Sequence, residues 1–150
     1  MDGRVREEGE KITIKIKHLK LETKGRDQVI DLTAEVKKVL ADSKIKEGLV
    51  TVFVPGSTAS VTTIEYEPGL IADIKELGER LAPSGRAYAH NQTWGDGNGY
   101  SHLRATTIGP SLSIPIEKGQ LTLGTWQQIV LIDHDVKPRT REVVVQIIGD

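Results

Sequence analysis

The chain has 150 residues, no cysteine, and 20 Lys+Arg against 21 Asp+Glu, for a net charge of -1. That length suits one domain around one core, and the balanced charge lacks the basic surplus of a dedicated nucleic-acid binder. The missing cysteines exclude disulfides, thiolate metal sites and a thiol nucleophile.

The opening MDGRVREEGEK is charged and has no signal-peptide apolar region. Residues 1–10 are expected to form a flexible segment. No apolar run reaches membrane-spanning length, so the expectation is a cytoplasmic protein with no membrane partner. Residues 11–17, KITIKIK, alternate at period two and predict a half-buried strand. Asp27 to Leu32 predicts a second short strand. Thr33 then caps a helix with Val36, Val39 and Leu40 as its buried stripe. Residues 48–54, GLVTVFV, predict a strand buried on both faces. After Pro55-Gly56, residues 59–65 resume as β-branched sequence. Leu70, Ile71, Ile74, Leu77 and Leu81 mark a second amphipathic helix, which Pro83 closes.

A glycine-containing loop follows, and residues 102–107 predict a helical turn. Residues 111–116, 128–133 and 142–148 predict strands, the last two joined by a turn at Lys137-Pro138-Arg139. One Phe, two Trp and three Tyr leave the core to Val, Ile and Leu. The reading is a single compact α+β domain spanning residues 1–150, with a largely antiparallel sheet and two main helices.

Four histidines carry most of the chemical interest. His18 sits among lysines and reads as a solvated surface group. His134 follows Asp133 in a strand, so the two side chains should face opposite ways. His90 and His102 bracket a stretch holding Asp96 and three glycines. That stretch is either a solvent-facing loop or one held in place so that its imidazoles meet. Imidazole is the commonest metal-binding side chain and the one that titrates nearest neutrality. The spacing is too long for a two-histidine zinc helix. Ser57, Thr58 and Ser60 form a hydroxyl-rich stretch from Gly56, where a backbone can approach an anion; the same residues also simply suit a strand. Arg104, two residues after His102, is the candidate phosphate cation. Trp126 reads as a packing anchor and Gln127 as a wall of the cleft.

Residues 98–135, NGYSHLRATTIGPSLSIPIEKGQLTLGTWQQIVLIDHD, resemble the signature of the YjbQ-like family of secondary thiamine-phosphate synthases. The likeness rests on Asn98, His102-Leu103 and the run Leu123-Gly124-Thr125-Trp126-Gln127. Ser57-Thr58-Ala59, Tyr88, His90, Arg139 and Arg141 fit as well. Two positions depart from it: Gly56 stands where members commonly carry His, and Asp133 where they commonly carry Glu.

The resemblance implies a YjbQ-like fold, a homotrimer and a histidine-lined cleft. The implied activity is a weak transferase reaction. It joins a thiazole phosphate to a pyrimidine methyl pyrophosphate and releases pyrophosphate. His102, His90, Asp133 and Gln127 would be catalytic; Ser57, Thr58, Arg104 and Asn98 would hold the phosphorylated substrate. His90 and His102 would hold a divalent metal ion, Zn or Mg. The alternative is a non-catalytic oligomer that binds a metabolite or metal.

Overall fold

The structure is a computed structural model and describes residues 11–150; the expected flexible segment, 1–10, lies outside the described residues. The elements in order are β1 (Thr13–Thr23), β2 (Gln28–Asp31), α1 (Thr33–Ser43), β3 (Gly48–Phe53), β4 (Ala59–Ile64), α2 (Pro68–Leu81), α3 (Ala89–Trp94), α4 (Gly99–Ile108), β5 (Ser111–Glu117), β6 (Gln120–Leu121), β7 (Gln128–Asp133) and β8 (Arg139–Gly149). The fold is α+β, with every strand pair antiparallel. The strands divide into two sheets, ordered β1-β8-β3-β5-β6 and β2-β7-β4.

The helix starts follow local chemistry. At α1 the capping acceptor is Asp31, one residue before Leu32 at the cap. Its Oδ1 accepts the Thr33 backbone N–H at 2.9 Å and the Thr33 hydroxyl at 2.6 Å. The Thr33 hydroxyl, the expected cap, instead accepts the Ile129 N–H at 2.9 Å and ties α1 to β7. At α2 the Glu67 carboxylate takes the Gly69 and Leu70 N–H groups, with Pro68 opening the helix.

One core joins both sheets. Val36 and Leu40 of α1 pack with Val50 and Val52 of β3, Val143, Val145 and Ile147 of β8, and Ile129 and Leu131 of β7. A smaller cluster lies on the other face of the three-stranded sheet, where Val29, Val130 and Ile132 meet Ile64, Ile71 and Ile74. β7 is therefore the strand buried on both faces.

β3, expected to be buried on both faces, alternates instead. Val50 and Val52 are buried, while Leu49 and Phe53 are exposed. Among the described residues no layer covers that outer face of the five-stranded sheet. The strands of residues 128–133 and 139–149 are joined by the expected short connection, but they enter different sheets. The link between them therefore crosses from one sheet to the other.

β3 and β8 approach so closely at one end that Gly48 sits opposite Gly149. A Cβ at Gly48 would lie 2.1 Å from the Ile148 carbonyl oxygen. Gly48→Ala should lower stability by about 2 kcal/mol or more through overpacking. Gly85→Ala, with nothing within 4 Å of the added carbon, should stay within about 0.5 kcal/mol of the parent. Urea unfolding of both variants checks the pair.

Candidate active site

The stretch around His90 and His102 is largely helical. It folds as the corner between α3 and α4, and it is pinned at both ends. The Tyr88 hydroxyl donates to the Pro83 carbonyl at 2.6 Å, and the Asn91 side chain accepts the Gly99 N–H at 3.0 Å. These bonds bring α3 back along α4, so that the two imidazole centroids lie 4.2 Å apart with the rings tilted by 41°.

The pair lies beside several unsatisfied polar atoms. His90 Nδ1, Asn98 Oδ1 and Ser101 Oγ are all buried without a hydrogen-bond partner. Asn98, Ser101 and His102 share one face of α4 by helical spacing. A buried polar atom left unpaired costs about 1–3 kcal/mol, so these three atoms weigh against the stability of the corner that holds the imidazoles. Partial burial, and then the neighbouring His90, push the His102 pKa below its ordinary 6.5; Asp96 and Asp135 pull weakly the other way. His102 is thus held neutral at pH 7.

Asp133, His134 and Asp135 supply the second polar group, and they face alternate sides, as the strand spacing predicts. Asp133, at the end of β7, is fully buried. Its Oδ1 and Oδ2 accept Nη2 and Nε of Arg141 at 2.9 and 2.8 Å, and Oδ2 also takes the Thr23 hydroxyl at 2.5 Å. Burial alone would raise the Asp133 pKa, but Arg141, Thr23 and the Asp135 N–H outweigh it and hold it below the usual value. Asp135 accepts Thr58 Oγ1 at 3.0 Å and Arg139 Nε at 2.8 Å. For Asp135, too, burial opposes the bonds, and the bonds win.

His134 points the other way. Its Nδ1 donates to Asp27, whose second oxygen receives Arg104; its Nε2 lies 2.8 Å from the Ser60 hydroxyl. An ionised carboxylate can only accept, so Nδ1 carries the proton and in the neutral ring Nε2 accepts from Ser60. The row resembles a Ser-His-Asp relay, yet Ser60 is fully buried in β4. It braces β4, β7 and α4 around a cavity of about 310 Å³ walled in part by Ile64, Ile74, Leu77 and Leu81.

The remaining candidates scatter. Arg104 is buried and spends its guanidinium inside the protein, on Asp27, on Glu79 at 2.8 Å and on the Ala82 carbonyl at 2.9 and 3.1 Å. Glu79 answers with a pKa lowered to about 2, chiefly through that bond. Gln127 bonds Thr63 Oγ1 and the Gly124 N–H, and Trp126 beside it is 72% exposed instead of packed. Ser57 is exposed, and Thr58 bridges Asp135 and Arg141. His18 is exposed and pairs with Glu142 at 2.6 Å. Sequence reasoning passed over Asp27, Asp135 and Thr23, and it read Ser60 as part of a hydroxyl-rich stretch near an anion rather than as a partner of His134. The one available signal was the acidic pair flanking His134.

A family model described as UPF0047 protein YjbQ-like matches residues 17–150. The chain belongs to the YjbQ/UPF0047 family. A UPF0047 protein of Archaeoglobus fulgidus is 41% identical over 85% of this chain and 97% of its own. The UPF0047 protein YugU of Bacillus subtilis is 31% identical over 89% and 99%. Among solved structures, a YbjQ-like protein of unknown function from Sulfolobus solfataricus P2 superposes with a TM-score of 0.89 at 31% identity. It covers 93% of this chain, which spans 100% of it.

For a metal, this YjbQ-type site offers two imidazoles. Among the described residues no group of three His, Cys, Asp or Glu side chains is placed to hold an ion. Two ligands fall short of the three protein ligands usual in a catalytic zinc site, and magnesium prefers oxygen.

The His102 environment yields a direct measurement. In a proton NMR titration the His102 ring should titrate below 6.5, and His90→Ala should move its midpoint upward by removing the neighbouring imidazole. Because the folded-state pKa is the lower one, the unfolded chain binds more protons as pH falls below 6.5. Stability from this group is full above that pH and is lost down to the folded midpoint.

Proposed function

We propose that this protein acts on a small phosphorylated metabolite at the His90–His102 pair, as a weak thiamine-phosphate synthase. A thiazole-phosphate nitrogen would attack the methylene of a pyrimidine methyl pyrophosphate. The new C–N bond takes the nitrogen lone pair, and the breaking C–O bond leaves its electrons on pyrophosphate. The observation that carries this reading is the paired imidazoles, one of them kept neutral, beside buried unpaired polar atoms. Neutral imidazole can donate a hydrogen bond to the leaving oxygen as charge develops, which is where stabilisation lowers a barrier. Family membership supports the same reading through the resemblance. A second reading, metabolite binding without turnover, has the saturation of Asp133 and Arg104 on its side. Locked groups make poor acid–base partners.

Purified protein given both substrates should release pyrophosphate above the uncatalysed background. His102→Ala should lower that rate by roughly a hundredfold or more, the scale of one acid–base or charge-stabilising group, with the fold intact by circular dichroism. Both substrates binding with no pyrophosphate formed would establish the binding-only reading.

We also infer assembly into a homotrimer inside the cytoplasm. The support is the uncovered face of the five-stranded sheet, where Ile14, Ile16, Leu49, Phe53 and Ile148 stand exposed in neighbouring registers. Contiguous apolar surface of this kind is typical of a subunit contact. No helix among the described residues is long and apolar enough to cross a membrane. Sedimentation equilibrium should give about three times 16.5 kDa, and Phe53→Glu should shift the population toward monomer. A concentration-independent monomer would refute the assembly.

A further inference from the structure

We propose that the space beside Gly56 is an oxyanion subsite in which Arg141 receives a phosphoryl group. This rests on the reading of the protein as one that handles a phosphorylated metabolite. It replaces Arg104, whose nitrogens are already bonded within the fold.

Arg141 is 8% exposed and held rigidly, with Nε and Nη2 committed to Asp133 and Thr58. Its Nη1 has no partner among the described residues, and it points at the space where a side chain on residue 56 would begin. A Cβ built on Gly56 would lie 3.1 Å from that nitrogen. Gly56 has φ +121°, a backbone conformation that suits glycine, and as a glycine it sets no Cβ against the guanidinium. Gly56 and the adjacent Ser57 are both exposed, so the niche is reachable from solvent, with a hydroxyl at its edge.

The sign of the ligand follows from which lone pairs are already used. Both oxygens of Asp133 and both of Asp135 accept bonds within the fold. A cation would find no free carboxylate oxygen there. Among the described residues donors remain: Arg141 Nη1, and the terminal nitrogens of Arg139, whose Nε bonds Asp135. A fixed, partly dehydrated guanidinium edge with a hydroxyl nearby suits a tetrahedral oxyanion.

Inorganic phosphate is the probe. Equilibrium dialysis with the full chain should show saturable binding. In a nitrogen-15 titration the Arg141 side-chain signals should move with the same midpoint, while those of Arg104 stay in place. Gly56→Ala should weaken binding about tenfold or more, the scale of one hydrogen bond to a charged group. Because alanine at this φ could disturb the loop, the titration of the unaltered protein decides independently of the variant. Absence of saturable binding, phosphate that saturates without moving the Arg141 signals, or a folded Gly56→Ala that binds as tightly as its parent would each overturn the subsite. None of these readings needs turnover. Phosphate binding at Arg141 without synthase activity removes only the proposed reaction, and turnover without phosphate binding removes only the subsite.

Discussion

The Arg141–Asp133 pair is where the two sheets are joined through polar groups. Asp133 ends β7 in the three-stranded sheet; Arg141 and Thr23 belong to β8 and β1 of the five-stranded one. Two charges taken out of water are tolerated only when each finds good partners, and removing either would leave the other stranded at about 3–5 kcal/mol. The pair therefore fixes how β7 turns into β8. From that turn the placement of His134, Asp135 and Arg139 follows by strand alternation.

This arrangement sorts the polar residues by face. On one side, Asp133 and Asp135 collect Arg141, Arg139, Thr58 and Thr23 near the open Gly56 backbone. On the other, His134, Asp27, Ser60 and Arg104 form a closed brace beneath α4. Two arginines thus have different work. Arg104 anchors the helix that carries His102, and Arg141 keeps one nitrogen without a partner among the described residues. Their difference lies in how many acceptors surround each guanidinium.

Much of the fold was legible because short-range patterns determine it. Alternation marked β1, and apolar spacing with Thr33 marked α1. The sheet division was not legible, because no local pattern says which sheet a strand enters. β7 and β8 look alike in sequence, yet one is buried on both faces and the other on one. The His90–His102 meeting was readable as a candidate from residue type, while α3 was hidden by its shortness, its polar residues and the glycines that follow it. Arg104 was misleading for a plain reason. An arginine near a histidine suggests a ligand site, but Asp27, 77 positions away, had already claimed it.

The position of β8 bears on how the chain reaches this state. The last strand lies between β1 and β3, and its register with β1 runs from Thr13 opposite Gly149 to Thr23 opposite Arg139. An interior strand of the larger sheet is thus the last of that sheet's strands in chain order. Until it emerges, β1 has no neighbour and β3 lacks one of its two, so both present open edges. Closing a loop of nearly the whole chain before these pairings form favours slow, late consolidation. During that interval the isoleucine-rich β1 is a strand edge available to other chains, and the growing chain is most prone to aggregate just before β8 appears.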